Sequence, residues 1–324
     1  MRFKVREKKA KQGRILQMNY EFQVADLKKI RLIIDTDAKN EADDQFAIVH
    51  ALLTPKFEIE GIIATHFGND RTDHSMEESY AEVIKILKLS GFYGQVQALR
   101  GAEKALVKKE RTSYFGNFLP ADNEGVRFII SQAKKADPRP LYLGVLGPLT
   151  NVASALMMEP AIARKLVIVW NGGGSYPHGG KEFNLMNDIA AANILFSSSA
   201  EVWQIPADVY CKPKVGLAEL QYKVAPCGEI GEYLFTQLVE FINEMASPAK
   251  WPPAESLDIC DLAVTGVLLD EHEYCYEWQE APFITEEMHY IFEGLNRPIR
   301  VYNDLDQRFI MEDFFAKLAL NYRK

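Results

Sequence analysis

The sequence predicts an α/β fold, a mostly parallel central sheet covered by helices on both faces. Three observations carry this. Apolar runs of strand length, such as IRLII from Ile30 and PLYLGVLG from Pro140, are continuous rather than alternating, as expected of strands buried on both faces. Segments of helical period separate them, which is the alternation of a chain of βαβ units. No internal repeat, low-complexity tract or linker divides the 324 residues, so a single large domain is expected over 30–324.

The elements run in order along the chain. IRLII is the first strand, DDQFAIVHALL the helix after it, and FEIEGIIAT the second strand. SMEESYAEVIKILKLS has the 3.6-residue period and is closed by Gly91, a helix with its stop signal. QVQALRG gives a short third strand, EGVRFIISQAKKA a helix, and PLYLGVLG a buried strand ending in a Gly-Pro turn. LTNVASALMMEPAIARKL supplies helical residues, and VIVWNGGG is a further strand ending in glycines. From about residue 210 the pattern is mainly helical, returning to a strand at RPIRVYND and a last helix at RFIMEDFFAKLAL.

Composition bounds the function. With 48% hydrophobic and 25% charged residues the chain is ordinary globular protein, able to bury a large core. A net charge of −8 disfavours nonspecific attraction to nucleic acid or anionic lipid. The exception is MRFKVREKKAKQGR, with seven basic residues against one acid, read as part of a solvated extension over residues 1–29. No apolar h-region follows it and no run reaches 18 apolar residues, so neither a signal peptide nor a membrane span is expected. Cys211, Cys227, Cys260 and Cys275 have no CxxC spacing and read as free thiols of a reducing compartment, which makes a cytoplasmic location the expectation.

The chemistry concentrates in IIDTDAKNEADD, where Asp35, Asp37, Asp43 and Asp44 fall within ten residues after the first strand. Ligands of open parallel sheets gather at the carboxyl ends of the strands. Helix capping accounts for one or two of these acids, but not for Asp35 and Asp37 arriving at the same place. Clustered carboxylates repel, and one loses its charge unless a cation sits among them. An all-oxygen set with no His or Cys nearby selects a hard ion, Ca²⁺ or Mg²⁺. Three further stretches belong with it. GVLGPLTNVA ends a strand in a turn that frees backbone carbonyls; WNGGGSYPHGGKEFNLMND is a glycine-rich loop with Glu182 and Asn184 suited to gripping hydroxyls; ESLDICDLAV sets Asp258 before an apolar helix. Cys260 and Asp261 in that last stretch read as core and capping residues, and Trp170 and Trp203 as core.

In this order the segments resemble the inosine-uridine-preferring nucleoside hydrolases. The matching residues are Asp35-Thr36-Asp37, Asp43-Asp44, Gly147 to Asn151, Gly172 to Gly174, Glu182-Phe183-Asn184 and Asp258, over roughly residues 30 to 320. The resemblance implies a Rossmann-like nucleoside hydrolase fold and one Ca²⁺ held by Asp37, Asp44, the carbonyl of Leu146 and Asp258. Asp43 would then act as general base on a water, while Asn184 and Glu182, with Asn69 after the second strand, bind the sugar. It implies a calcium-dependent hydrolase of the N-glycosidic bond of a nucleoside or related riboside, forming a homodimer or homotetramer. A carboxylate-rich pocket suits the oxocarbenium-like transition state of that cleavage. Asp35 would orient its neighbours.

Two departures from the family stand out. Five residues, 38–42, separate Asp37 from the Asp pair where the family has three, and they bring Asn40 and Glu41 toward the substrate. Where many members have His before the late aspartate, this chain has Leu257, so a proton for the leaving base must come from elsewhere; His66, Tyr176 and His178 are the candidates. Two alternatives compete. IIDTDA also resembles the strand end of Mg²⁺-dependent haloacid-dehalogenase-type phosphatases, with Asp35 as nucleophile, although GPLTN and EFN are then unexplained. A sugar or nucleoside sensor that keeps the metal site without turnover is the other.

Overall fold

The computed structural model describes residues 18–108, 118–245, 255–270 and 275–323. The strands are β1 (Ile30–Thr36), β2 (Phe57–Ala64), β3 (Ala98–Arg100), β4 (Val107–Lys108), β5 (Phe118–Leu119), β6 (Leu141–Val145) and β7 (Leu166–Asn171). They continue as β8 (Glu201–Ile205), β9 (Lys214–Gly216), β10 (Ser256–Asp258), β11 (Tyr276–Glu280), β12 (Phe283–Ile284), β13 (Tyr290–Ile291) and β14 (Pro298–Tyr302). Eight of them form one sheet in the order β11-β14-β8-β7-β6-β1-β2-β3. It is parallel throughout except for β11, which runs antiparallel on the edge against β14. The expected parallel α/β sheet is therefore present. β8 and the edge strand β11, which the hydrophobic pattern did not single out, extend it on one side.

The helices are α1 (Asp44–Leu52), α2 (Ser75–Ser90), α3 (Glu124–Ala133), α4 (Thr150–Met158), α5 (Phe183–Asn187) and α6 (Ile189–Ser197). After them come α7 (Ala207–Tyr210), α8 (Leu217–Lys223), α9 (Gly228–Met245), α10 (Leu262–Leu269) and α11 (Gln307–Tyr322). Successive strand residues point to opposite faces. Leu32 and Ile34 of β1 accordingly join the core under α1, α9, α10 and α11, while Ile33 joins the one under α3, α4 and α6. Gly91 ends α2 at φ 81°, the left-handed C-cap expected from the sequence. Among the described residues no helix is long and apolar enough to cross a membrane.

Connectivity fixes where a ligand can sit. From β1 the chain builds outward through β2 and β3, then returns to β6 on the other side of β1 and continues through β7 and β8. The order therefore reverses between β1 and β6, and the crevice at their carboxyl ends is the position that open α/β sheets use for ligands. The basic stretch expected as a tail lies, through residue 17, outside the described residues. The segment after it is tied down: Tyr20 Oη donates to the carbonyl of Leu53 at 2.6 Å, and the Asn19 amide to Asn321 at 3.0 Å.

Candidate functional site

Asp35 and Asp37 leave the end of β1, and the longer loop after them returns the chain so that Asp43 and Asp44 open α1. Thr36 Oγ1 donates to Asp44 across that loop. Carboxylate oxygens of Asp43, Asp44 and Asp261 lie within 4.8 Å of one another, and all three side chains are buried. Asp261 immediately precedes α10 as Asp43 precedes α1, yet neither side chain caps the helix it heads. The capping reading of these acids thus fails on geometry: two helix N-termini converge on the cluster and their positive ends face the carboxylates.

Asp37 lies beside this group. A Cβ added to Gly147 would fall 2.7 Å from Asp37 Oδ1, so only glycine lets the Gly-Pro turn after β6 approach that carboxylate. Burial, then the charge of Asp44, pushes the Asp37 carboxyl well above the usual range. Burial and neighbouring Asp43 likewise push Asp44 to about 8. Asp43 is raised only to about 6, because backbone N–H groups, that of Asp261 foremost, offset its burial. Asp35 sits deeper, raised to about 8 by burial and partly relieved by the Asn151 amide at 3.2 Å.

This cluster fits a hard cation. Asp37 Oδ2 is buried and accepts no hydrogen bond, and the same holds for Asn171 Oδ1. Buried polar atoms are otherwise almost always satisfied, so orphans gathered among acids mark a place for a ligand. Asn171 escaped notice in the sequence. It ends β7, and its Nδ2 donates to the Cys260 carbonyl and to Asp261 Oδ1 at 3.1 and 3.2 Å, holding the head of α10 against the sheet.

The late acid of the cluster is Asp261, not Asp258. Pairing with β9 takes Ser256–Asp258 into a strand, and Asp258 Oδ1, itself buried without a hydrogen bond, lies 3.1 Å from Lys214 Nζ. Three residues later the chain turns into α10 and delivers Asp261. The residue before the clustered aspartate is accordingly Cys260, and Leu257 belongs to the core. The carbonyl of Leu146 accepts from Asn184 Nδ2 at 2.7 Å, and the same nitrogen donates to Asn171 O at 2.9 Å. Glu182 is held by the protein itself: its carboxylate accepts from the amides of Gly173, Asn184 and Leu185 and from Tyr210 Oη at 2.7 Å. With four donors on two oxygens, Glu182 braces the glycine loop and has little capacity left for a sugar hydroxyl.

The remaining candidates divide. His66 is buried and neutral, its pKa lowered by burial to about 4. Its Nδ1 accepts from the Gly68 amide at 3.3 Å, and Nε2 lies 2.9 Å from Thr150 Oγ1, which donates to Asp188 at 2.7 Å. That places His66 in a buried chain of the protein's own hydrogen bonds. Tyr176 Oη donates to Gln204 at 2.9 Å. His178 and Asn69 are exposed and lie in loop segments. Asn40 is buried in the inserted segment and accepts from Arg71, whose guanidinium lies 5.1 Å from the Phe67 ring. Glu41 beside it is raised to about 7 by burial and by Asp43, with Arg71 opposing.

A family model described as inosine-uridine preferring nucleoside hydrolase matches residues 32–307. The chain belongs to that family. Membership brings the enzyme class, a nucleosidase-type glycosidase, and removes the phosphatase alternative. A probable uridine nucleosidase 1 of Oryza sativa subsp. japonica is 32% identical over 187 residues, 53% of this chain and 56% of that protein, little more than half its length. The pyrimidine-specific ribonucleoside hydrolase RihA of Salmonella arizonae is 26% identical over 238 residues, covering 68% of this chain and 73% of its own. Among solved structures, a purine-preferring ribonucleoside hydrolase from Gardnerella vaginalis superposes with a TM-score of 0.70 at 21% identity, over 89% of this chain and 98% of that one. That likeness supports the fold.

Proposed function

We infer that the protein hydrolyses the N-glycosidic bond of a nucleoside or related riboside with the help of one bound Ca²⁺. The observation that carries this reading is the buried group of Asp43, Asp44 and Asp261 with Asp37 beside it, an all-oxygen donor set with orphaned atoms in the crevice between β1 and β6. Asp37, Asp44 and Asp261 would hold the ion, and the family resemblance adds the Leu146 carbonyl, which accepts from Asn184 Nδ2. When bound, such an ion offsets the clustered negative charge and acidifies water.

The chain's own residues supply the rest. Asp43 is oriented by the Asp261 amide on its Oδ2 at 3.3 Å and remains ionised near neutrality, so it is poised to take a proton from water as that water adds to the anomeric carbon. The surrounding carboxylates favour the positive charge that develops on the sugar as the C–N bond breaks. His66 and Tyr176 are both engaged elsewhere, so the leaving base receives no proton from them. This favours bases that depart as stabilised anions, uracil among them, in keeping with the uridine and pyrimidine named for two relatives.

The test is release of free base from uridine, cytidine, inosine and adenosine by protein stripped with chelator and reloaded with Ca²⁺. Turnover that appears on reloading, with uridine at the head of the panel, is the expected result. Calcium-loaded, folded protein that leaves every riboside intact would overturn the reading and favour a non-catalytic nucleoside sensor.

A further inference from the structure

Two cysteines stand beside the acid cluster, and the hydrolytic reaction makes no use of them. Cys211 follows α7 and is exposed; Cys260 precedes Asp261 and is partly buried. Their sulfurs lie 3.4 Å apart. The backbone holds them there: β9 and β10 pair with Lys214 opposite Asp258, and the Ile259 amide donates to the Pro213 carbonyl at 2.7 Å, carrying the ladder to the two thiols. Each cysteine also adjoins a group of the site. Tyr210, next to Cys211, donates to Glu182; the carbonyl of Cys260 is held by Asn171; and the Asp261 amide donates to Asp43.

We propose that Cys211 and Cys260 form a reversible disulfide that loosens the cation site by displacing Asp261. A disulfide brings its sulfurs to about 2.0 Å, so closure from 3.4 Å requires a movement of about 1.4 Å shared between the two segments. The residue adjoining one sulfur is Asp261, whose carboxylate lies within 4.8 Å of those of Asp43 and Asp44, so the movement reaches the group directly. The oxidant is a peroxide. The exposed Cys211 sulfur attacks one peroxide oxygen, the O–O bond breaks, and water leaves with formation of a sulfenic acid. The Cys260 sulfur then attacks the Cys211 sulfur, the S–O bond breaks, and the hydroxyl departs with the Cys260 proton as a second water. Two electrons pass from the thiol pair to the peroxide, and an added dithiol reverses the change.

The coupling rests on the cation reading, and the experiment separates the two. Full-length protein kept in reductant is desalted, treated with hydrogen peroxide, mapped by peptide mass spectrometry and titrated calorimetrically with Ca²⁺. The expected result is a mass lower by two hydrogens, a peptide joining Cys211 to Cys260, and Ca²⁺ binding about tenfold weaker, the low end of what disturbing the supports of a metal ligand costs. Dithiothreitol restores the affinity. Cys211→Ser binds Ca²⁺ as the reduced protein does and ignores peroxide, whereas Cys275→Ser responds in full. Oxidation of Cys211 to the sulfinic acid without a joined peptide would overturn the proposal, and so would a joined peptide with Ca²⁺ affinity unchanged. Binding by the reduced protein tests the cation reading alone, and the peptide map tests the thiol pair alone.

Discussion

Helix α1 carries a buried ionisable cluster at each end, and the two are built on opposite plans. At its last turn His50 lies against Thr265 Oγ1 at 2.8 Å and Asp313 Oδ2 at 2.7 Å. Lys317 completes that group by pairing with Asp313 and donating to Thr54 Oγ1 at 2.9 Å. Charges there cancel and the polar groups find partners, so the network ties α1 to α10 and α11 and asks for no ligand. At the first turn there are only acids, with oxygens left over. Burial alone therefore does not mark a functional site. What marks it is burial without internal compensation, which a ligand from outside would complete.

The sharpest way to break the comparison is to remove one acid from the first end. Asp43→Asn keeps the size and the contact with the Asp261 amide but cannot take a proton. Its kcat is expected to fall about 10³-fold, within the range for loss of a general base, with Tm unchanged or raised. Base release followed by absorbance, beside a thermal melt, checks both halves. A variant with near-normal kcat would move the role to another acid.

Cutting the other end reverses the pattern. Asp313→Asn strands the Lys317 ammonium in a largely buried place, for a loss of about 3 kcal/mol, the low end for breaking a buried pair. Activity per folded molecule should hold. Acid does the same more gradually. Burial lowers His50 to about 4 from an ordinary 6.5, so the unfolded chain binds a proton that the fold refuses. The stability tied to His50 is complete above pH 6.5 and is lost as pH falls toward 4, an effect of about 3 kcal/mol by linkage. Denaturant titrations across that window measure it.

The sequence revealed these two ends unequally. Four aspartates in ten residues announce themselves, and the apolar strands that aim them are continuous enough to read. Asp258 and Asp261 were indistinguishable by pattern, since both are acids just ahead of an apolar helix. Only the pairing of β10 with β9 decides that the helix starts late, and that pairing joins segments some forty residues apart. Asn171 looked like part of a glycine loop, and Glu182 like a sugar ligand, because hydrogen-bond saturation is a property of the folded neighbourhood. The surroundings of His66 are of the same kind, since Thr150 and Asp188 come from other segments.

Adding a cation should separate the ends more gently. In the absence of an ion, a raised carboxyl such as Asp44 makes a contribution to stability that is complete below the ordinary 3.8 and is lost as pH rises from there through about 8. Ca²⁺ bound as proposed would replace the protons. At a concentration a hundredfold above its Kd at pH 6 it should stabilise by about 2.7 kcal/mol there, or about 5 °C in Tm, and the same concentration should stabilise more at pH 8. The acid limb set by His50 should persist with Ca²⁺ present. Melts with Ca²⁺ or chelator at both pH values show whether the two slopes are independent.

The smallest expected effect concerns Asp258. Asp258 is partly exposed, with 36% of its side chain accessible, and faces Lys214, itself 60% accessible. Such a pair contributes about 0.5 kcal/mol or less, since water screens it. Asp258→Asn should therefore leave Tm within about a degree and Ca²⁺ affinity within about twofold, while Asp261→Asn weakens Ca²⁺ binding by about two orders of magnitude, as loss of a charged ligand from a hard-cation site would. Calorimetric titration of both variants settles which acid belongs to the cluster. If Asp258→Asn proves the costlier, the head of α10 moves when the ion binds, and the segment between β10 and α10 becomes the mobile part of the site rather than its fixed wall.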